Sequence, residues 1–381
     1  MSRDSLTRRE CLRRGAGAVF SAAAAATAAV WLHDPAGPRD GRYAEPHAGD
    51  KSKTPVGLPN YLEKIDLSPS SPRLSIAVGE AVDHSASPSA QDYAALTHRA
   101  VSALDPDLGI RRFIARDDVV LIKPNVGFDR PPALGATAHP DVVAAVVRFC
   151  RDAGAREVLL TDYPIESTQA CFERSGITRA ATEAGAKIIW PRDSLFDEIR
   201  VRDHRPDPAR GEAFDRWPLL AAPLRRATKL IGIAPIKDHN LAGGSMCLKN
   251  WYGLLGGRRN LLHQMIHETI SDLALLFSPT LVIADATRVM LANGPTGGRL
   301  VDVRPGGALG RPAVVASVDP VACDAWCYEN LLARDPATLP YLRLAQQKIA
   351  AQIEAGGRRL GNADWREYHR QGLIARSDAS T

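Results

Sequence analysis

The chain has 381 residues, of which 45% are hydrophobic and 24% are charged, and its formal net charge is +5. This composition is typical of a globular protein and excludes disordered, collagen-like and disulfide-scaffold chains. The charge is too small for this length to indicate a nucleic-acid partner. The 48 basic residues comprise 9 lysines and 39 arginines, so each lysine in this chain is a departure from a strong preference.

The first 32 residues have the layout of an export signal. The adjacent arginines Arg8 and Arg9 precede an apolar run of small residues over positions 15–32,. This order is similar to the twin-arginine signal, which hands folded proteins to the export machinery. We therefore expect a periplasmic or exported protein, with residues 1–32 either cleaved or kept as an anchor. A basic, alanine-rich terminal helix is the alternative interpretation.

The rest of the chain contains no second apolar run near the roughly 18 residues that a spanning helix needs,. Membrane contact is therefore expected only through the N-terminal segment. Residues 33–72 are rich in Pro, Gly, Asp and Ser without apolar periodicity, which predicts a flexible linker. Residues 73–335 predict an α/β core domain, and residues 336–381 predict a C-terminal helix and tail.

Short apolar strands alternate with helical patterns through the core domain. The predicted strands are Leu74–Val78, Val119–Lys123, Glu157–Thr161, Lys187–Trp190, Lys229–Ala234, Leu281–Ala284 and Ala313–Ser317. The predicted helices are Gln91–Ala103, Pro140–Ala153, Gln169–Ala184, Leu261–Phe277, Pro320–Leu332 and Tyr341–Glu354. This alternation is typical of βαβ crossovers, so it predicts one main α/β domain with a largely parallel sheet and helices on both faces. The segment 192–223 predicts a small excursion between strands.

Polar residues directly follow several predicted strands, which is where doubly wound sheets bind ligands. These residues are Lys123, Asn125, Asp162, Lys237, His239 and Asp285. Lysine offers a compact charge and a pKa that burial can lower, so a lysine here suggests a need that arginine does not meet. The alternative is that Lys123, Lys237 and Lys249 lie at these positions by chance or extend to solvent.

Two glycine-rich segments could add backbone donors for an anion. Gly243 and Gly244 lead into a predicted helix start that carries Lys249 and Asn250, and Thr296 lies in the second segment,. Neither segment has the spacing of a nucleotide-binding loop, and either could be only a tight turn.

Three histidines are site candidates, namely His139, His239 and His263, because imidazole titrates near neutral pH and binds metals,. His263 and His267 are spaced i, i+4, but Gln264 stands where the zincin pattern requires Glu. We therefore interpret His267 as a surface or structural residue. Asp319 precedes Pro320 and could simply cap a helix, whereas Asp324 lies inside an apolar helix. The six cysteines contain no Cys-x-x-Cys, so no iron–sulfur cluster or zinc ribbon is expected within this chain,.

Seven short motifs together resemble the family called domain of unknown function 362, over roughly residues 74–332. The motifs occupy positions 122–125, 137–140, 154–162, 235–239, 248–253, 294–298 and 319–324. Members of that family are often iron–sulfur-associated through a fused ferredoxin-like domain, and many carry twin-arginine signals. This chain lacks the cysteine module. The resemblance implies a fold, export and the location of a site, but no reaction.

The sequence favours an exported enzyme that acts on a small anionic molecule, with no cofactor identified. We predict that His239, His139, Lys237 and Lys123 are catalytic, with a histidine as general acid or base. Predicted substrate-binding residues are Asn125, Asp162, Lys249, Asn250, Gly243, Gly244 and Thr296. Asp285, Asp324 and His263 are candidates to hold a divalent metal. The alternative function is a periplasmic ligand-binding or accessory protein that serves a redox partner.

Overall fold

A computed structural model describes residues 57–80, 89–354 and 360–378 of the chain. The predicted export signal and most of the predicted linker lie outside these residues. Within the described ranges, no helix combines the length and the apolar character that crossing a membrane requires. The end of the predicted linker packs on the core, because Tyr61 is buried and its hydroxyl donates to the carbonyl oxygen of Leu224 at 2.8 Å.

The described residues form a nine-stranded mixed sheet in the order β11-β1-β10-β8-β7-β2-β3-β4, with β9 paired to β8, and a two-stranded sheet of β5 and β6. Strand β10 runs antiparallel to β1 and β8, and β9 is antiparallel to β8; the other pairings in the large sheet are parallel. The strands are β1 (Leu74–Val78), β2 (Val119–Pro124), β3 (Glu157–Leu160), β4 (Lys187–Ile188), β5 (Asp197–Arg200), β6 (Arg216–Leu219), β7 (Lys229–Lys237), β8 (Leu281–Met290), β9 (Val303–Arg304), β10 (Ala313–Ser317) and β11 (Ile374–Asp378).

Helices cover both faces of the large sheet. On β2, Val119 and Leu121 face one apolar core, whereas Val120 and Ile122 face another, as the period of two in a strand requires,. The predicted α/β class and the small excursion are confirmed. The α-helices are α1 (Ala90–Ser102), α2 (Pro140–Asp152), α3 (Thr168–Arg174), α4 (Ile177–Glu183), α5 (Ala221–Arg226), α6 (Cys247–Asn250), α7 (Ile266–Leu276), α8 (Pro320–Asn330), α9 (Pro340–Glu354) and α10 (Trp365–Arg370).

Two predicted helices differ from the structure. The helix predicted over 169–184 is two helices, because Gly176 between them adopts a left-handed φ of 73° that ends the first,. The helix predicted from Leu261 begins instead as a 3₁₀ segment, Arg259–Met265, and becomes α-helical only at Ile266. This 3₁₀ segment carries the candidate site residue His263.

Residues 360–378 of the C-terminal segment pack on the core and add a strand to the main sheet. Strand β11 extends the main sheet by pairing in parallel with β1. Buried Asp319 joins this segment to α8, because it caps that helix through the N–H groups of Val321 and Ala322 and accepts from the Tyr368 hydroxyl at 2.7 Å. A boundary at residue 335 therefore does not separate a tail from the sheet. The capping interpretation of Asp319 is confirmed.

Candidate anion site at the carboxyl ends of the parallel strands

The parallel strands β7, β2 and β3 are neighbours, so residues at their carboxyl ends lie at one edge of the sheet. Lys123 lies near the end of β2 and Lys237 ends β7, while Asp162 follows β3 by two residues. Near-continuous apolar runs bury these strands on both faces, so the polar side chains at their ends meet away from bulk solvent. We call this group, with the residues that α6 and the following 3₁₀ segments add to it, the lysine cluster.

Lys123 is held by a buried ion pair. Its Nζ lies 2.7 Å from Asp162 Oδ1, and neither side chain has more than 1% of its surface exposed. The same ammonium donates to Asn250 Oδ1 at 2.6 Å. Asp162 Oδ2 accepts the backbone N–H of Val126 at 2.7 Å. Burial lowers the pKa of Lys123 and Asp162 opposes that shift, so the carboxylate stabilises the charged amine,.

Asn250 and Asn125 connect this ion pair to the second lysine. Asn250 donates to the carbonyl oxygens of Lys123 and Ile233, which fixes its orientation across β2 and β7. Asn125 Nδ2 lies 3.4 Å from Asn250 Oδ1, and its own Oδ1 accepts from Lys237 Nζ at 3.2 Å. Both asparagines, which the sequence predicts to bind substrate, therefore lie within the lysine cluster.

Lys237 is fully buried without a carboxylate partner among the residues that the structure describes. Its ammonium donates to the carbonyl oxygen of Ala136 at 2.5 Å and to Asn125, both neutral groups. It also lies 5.0 Å from the centre of the Phe128 ring. Burial, together with repulsion from Lys249 and Lys123, holds the pKa of Lys237 well below its usual range. A bound anion would supply the missing countercharge.

Lys249 lies on α6, whose start is set by Asp324 on α8. Asp324 Oδ1 accepts the N–H of Cys247 at 2.8 Å, and Oδ2 accepts that of Leu248 at 3.0 Å. This cap orients the short helix so that half-buried Lys249 reaches the cluster, 5.3 Å from the centre of the Tyr252 ring. Burial and the charges of Arg259 and Lys123 lower the pKa of Lys249 to about 7.

Arg259 is the fourth basic side chain of the lysine cluster. Its guanidinium stacks on Tyr163, 4.4 Å from the ring centre, and donates to the carbonyl oxygen of Pro164 at 2.7 Å. Burial lowers its pKa and Asp162 raises it. The cluster therefore holds four basic side chains, Lys123, Lys237, Lys249 and Arg259, around a single carboxylate, Asp162, among the described residues.

His239 and His263 are neutral and present opposite tautomers. Burial and the charges of Lys249 and Lys237 lower the pKa of His239 to about 2, and burial and Lys249 lower that of His263 to about 4. His239 Nδ1 accepts two backbone N–H groups at 3.2 Å, so its proton is on Nε2,. His263 Nδ1 lies 3.0 Å from the carbonyl oxygen of Asn260 and donates to it, which leaves Nε2 as an acceptor. The expectation of imidazoles that titrate near neutral pH is wrong for both.

His139 does not join the lysine cluster. Its Nδ1 caps α2 by accepting the N–H of Asp141 at 3.2 Å, and its ring packs on Tyr93 with centres 4.4 Å apart. Its backbone N–H donates to Asp285 Oδ2 at 2.6 Å. Asp285 Oδ1 accepts from both the backbone and the hydroxyl of Thr287. These contacts give His139 and Asp285 structural functions, and the catalytic and metal-binding roles predicted for them stay predictions.

The glycine segments lie beside the cluster, and the N–H groups of Gly243, Gly294 and Gly297 donate to neighbouring protein oxygens. The Cβ positions of Gly243 and Gly244 would lie 3.0 Å from Leu339 and Tyr328, so both residues permit close packing. The N–H of Gly243 donates to the carbonyl oxygen of His239. The segment with half-buried Thr296 is held near His239, because Gly294 donates to Asp238 Oδ2 at 3.1 Å.

The predicted metal set is not assembled. Asp285 contacts His139, Asp324 caps α6, and His263 contacts Tyr252. Within the described ranges, the group whose atoms come within 4.8 Å of one another is Cys247, Cys323 and Asp324, all buried. Both oxygens of Asp324 already accept backbone N–H groups, so this group is accounted for by the start of α6.

Sequence reasoning missed Arg259 and the aromatic residues Phe128, Tyr163 and Tyr252. The scarcity of lysine selected three of the four basic residues, but the same skew hid Arg259 among 39 arginines. A usable signal was its position nine residues after Asn250, in a glycine-rich turn that interrupts the helical pattern.

Comparisons with known proteins identify the family to which this chain belongs. The thylakoid-associated protein sll1697 of Synechocystis sp. is 25% identical over 262 residues, which cover 66% of this chain and 75% of that protein. The lactate racemase apoprotein of Thermoanaerobacterium thermosaccharolyticum is 14% identical with a TM-score of 0.28, over 62% of this chain and 55% of that chain, and so weak a likeness supports no functional conclusion. The family model described as "Domain of unknown function (DUF362)" matches residues 120–329, a range that contains the whole lysine cluster. Because this match covers more than half of the chain, the protein belongs to the DUF362 family.

Proposed function

We propose that the protein is an exported enzyme that binds a small anionic substrate in the lysine cluster. The observation that carries this proposal is the convergence of four basic side chains on one carboxylate in a largely buried site. Burying uncompensated charge costs several kcal/mol per ion, so such a cluster is stable only if an anion balances it or if amines lose their protons. The export component of the proposal rests on the twin arginines Arg8 and Arg9.

The two neutral histidines support an enzyme rather than a simple binding protein. His239 offers an N–H donor that can polarise a developing oxyanion, and His263 offers a lone pair that can accept a proton. An anion-binding protein needs donors but has no use for a buried acceptor next to cations. A ligand-binding or accessory protein would release the anion unchanged, and native mass spectrometry of protein from its own host would identify what is retained.

Replacing Lys237 with Met is expected to weaken binding of oxalate, a small dicarboxylate probe, by at least about tenfold. The substitution keeps the length of the side chain and removes a buried charge that has only neutral partners. Isothermal calorimetry measures the affinity, and circular dichroism reports folding. The matched control is Lys187→Met, because Lys187 is exposed and pairs with Glu157 away from the site. Equal affinities for the two variants would contradict the proposed site.

The affinity for oxalate is expected to fall as the pH rises through about 7. Lys249 is protonated below its pKa of about 7 and attracts the anion, whereas above it the neutral amine contributes no charge,. Bound oxalate stabilises the protonated form of Lys249, so it raises the pKa of that lysine in the complex. Calorimetry from pH 6 to pH 9 tests this dependence, and Lys249→Met should flatten it. A profile that stays steep in that variant would assign the titration to another group.

A further inference from the structure

Lys249 differs from the other two lysines of the cluster in having no hydrogen-bond acceptor in the described part of the chain. Lys123 has Asp162 and Asn250, and Lys237 has Asn125 and a carbonyl oxygen. Among the described residues, no carboxylate, amide or carbonyl oxygen accepts a hydrogen bond from Lys249 Nζ; its contact is the face of Tyr252. A charged Lys249 loses part of its hydration in this half-buried position and has no protein acceptor to offset that loss, whereas a neutral amine avoids the cost,.

Among the described residues, the charges that act on Lys249 are those of Arg259 and Lys123, and both oppose a positive charge on it. The carboxylate of the cluster, Asp162, is paired with Lys123. The other charged and titratable groups facing Lys249 come from β2, β7, the loop after β7 and the 3₁₀ segments after α6, and together they are Lys123, Lys237, His239, Tyr252, Arg259 and His263. A lysine next to other cations in a desolvated site is a known way to obtain a nucleophilic amine.

We propose that Lys249 is a nucleophile that forms an imine with the carbonyl carbon of a small 2-oxo carboxylate. This inference rests on the proposed function and names its substrate class. A carboxylate beside the carbonyl would meet the uncompensated charge of Lys237, while the carbonyl carbon meets the amine of Lys249. An anion without a carbonyl group would be balanced by the charge of Lys237 but would offer the amine of Lys249 no carbon to attack.

The step balances without an oxidant or a reductant. The lone pair of Nζ attacks the carbonyl carbon, and a carbon–nitrogen bond forms. The two protons of the amine and the carbonyl oxygen then leave as one water molecule, so that a carbon–nitrogen double bond remains. Nε2–H of His239 can donate to the oxygen as it gains charge, and Nε2 of His263 can accept a proton from the nitrogen,.

Reductive trapping tests this inference on the full chain. The protein is incubated with pyruvate and cyanoborohydride, which reduces the imine to a stable secondary amine. Intact mass should then rise by the mass of pyruvic acid less one oxygen atom, and peptide mapping should place the adduct on Lys249. We expect modification at least about tenfold faster than at exposed Lys187, because far more of the amine is neutral at pH 7,. Oxalate should slow the trapping by competition.

Two outcomes separate this inference from the proposed function. If oxalate binds in a Lys237-dependent way but adducts spread equally over the exposed lysines, the imine is wrong and the anion site stands. If oxalate does not bind at all, the proposed function fails whatever the trapping shows. Lys249→Met should remove the specific adduct, and because mapping of the unmodified sequence gives the same answer, the test does not depend on how that variant folds.

Discussion

Replacing Asp162 with Asn is expected to destabilise the fold by about 3–5 kcal/mol, because breaking a buried ion pair leaves its partner charge uncompensated. Lys123 Nζ lies 2.7 Å from Asp162, and both side chains are inaccessible to solvent. Asp162 also accepts the backbone N–H groups of Val126 and Tyr163, so the loss extends to the loops that follow β2 and β3. Chemical denaturation of the variant measures this loss.

The control for this prediction is Asp129→Asn. Asp129 pairs with Arg174 at 3.3 Å, but both side chains are exposed, so the change should cost less than about 1 kcal/mol,. A second variant, Lys123→Met combined with Asp162→Asn, should be more stable than Asp162→Asn alone, since it removes the orphaned ammonium. Equal losses for the Asp162 and Asp129 variants would show that the buried pair does not support the fold.

Replacing Gly253 with Ala is expected to separate the same ion pair by steric contact alone. A Cβ at this position would lie 2.3 Å from Asp162 Oδ1 and 2.8 Å from Lys123 Nζ, closer than any real Cβ contact. Overpacking of this kind typically costs about 1–3 kcal/mol, and here it also displaces the charges that hold the cluster. We expect lower stability in denaturation experiments and oxalate affinity reduced by at least about tenfold.

Gly127→Ala is the matched control for Gly253→Ala. Gly127 lies in the loop after β2, and a Cβ there would meet Asn125 Oδ1 at an ordinary 3.8 Å. This variant should keep the stability and the oxalate affinity of the unmodified protein to within small factors. If Gly253→Ala behaved like Gly127→Ala, the close approach of the segment after α6 to the ion pair would not matter for binding.

These expectations depend on one feature of the fold, which is that a short helix brings charge to the end of a sheet. Asp324 anchors α6 through two backbone N–H groups, and Asn250 ties the end of α6 to β2 and β7. Asp324 therefore acts on the cluster through α6, and its burial raises its pKa well above the usual range of an aspartate. Lys249 is positioned by residues that are far from it in the chain.

The local pattern of the sequence determined the α/β class, the seven strands β1–β4, β7, β8 and β10, and the presence of lysines at the ends of β2 and β7. Hydrophobic periodicity reports these features because burial on two faces of a sheet leaves a trace within a few residues. The pattern did not predict β5, β6, β9 or β11. The scarcity of lysine added Lys249, which no periodicity singles out. The export predicted from the twin arginines stays a prediction, since they lie outside the described residues.

Only the tertiary structure decided which polar residues meet. His139 and Asp285 follow the same sequence logic as His239 and Asp162, yet their hydrogen bonds go to a helix start and a turn. The protonation states of Lys249 and His239 could not be predicted from the local sequence either. Their pKa values depend on burial and on charges contributed by distant segments,. The sequence by itself determined where charge is placed along the chain. Packing determined which charges meet, since it joins residues that are distant in the chain, from Lys123 and Asp162, 39 positions apart, to Lys123 and Asn250, 127 positions apart.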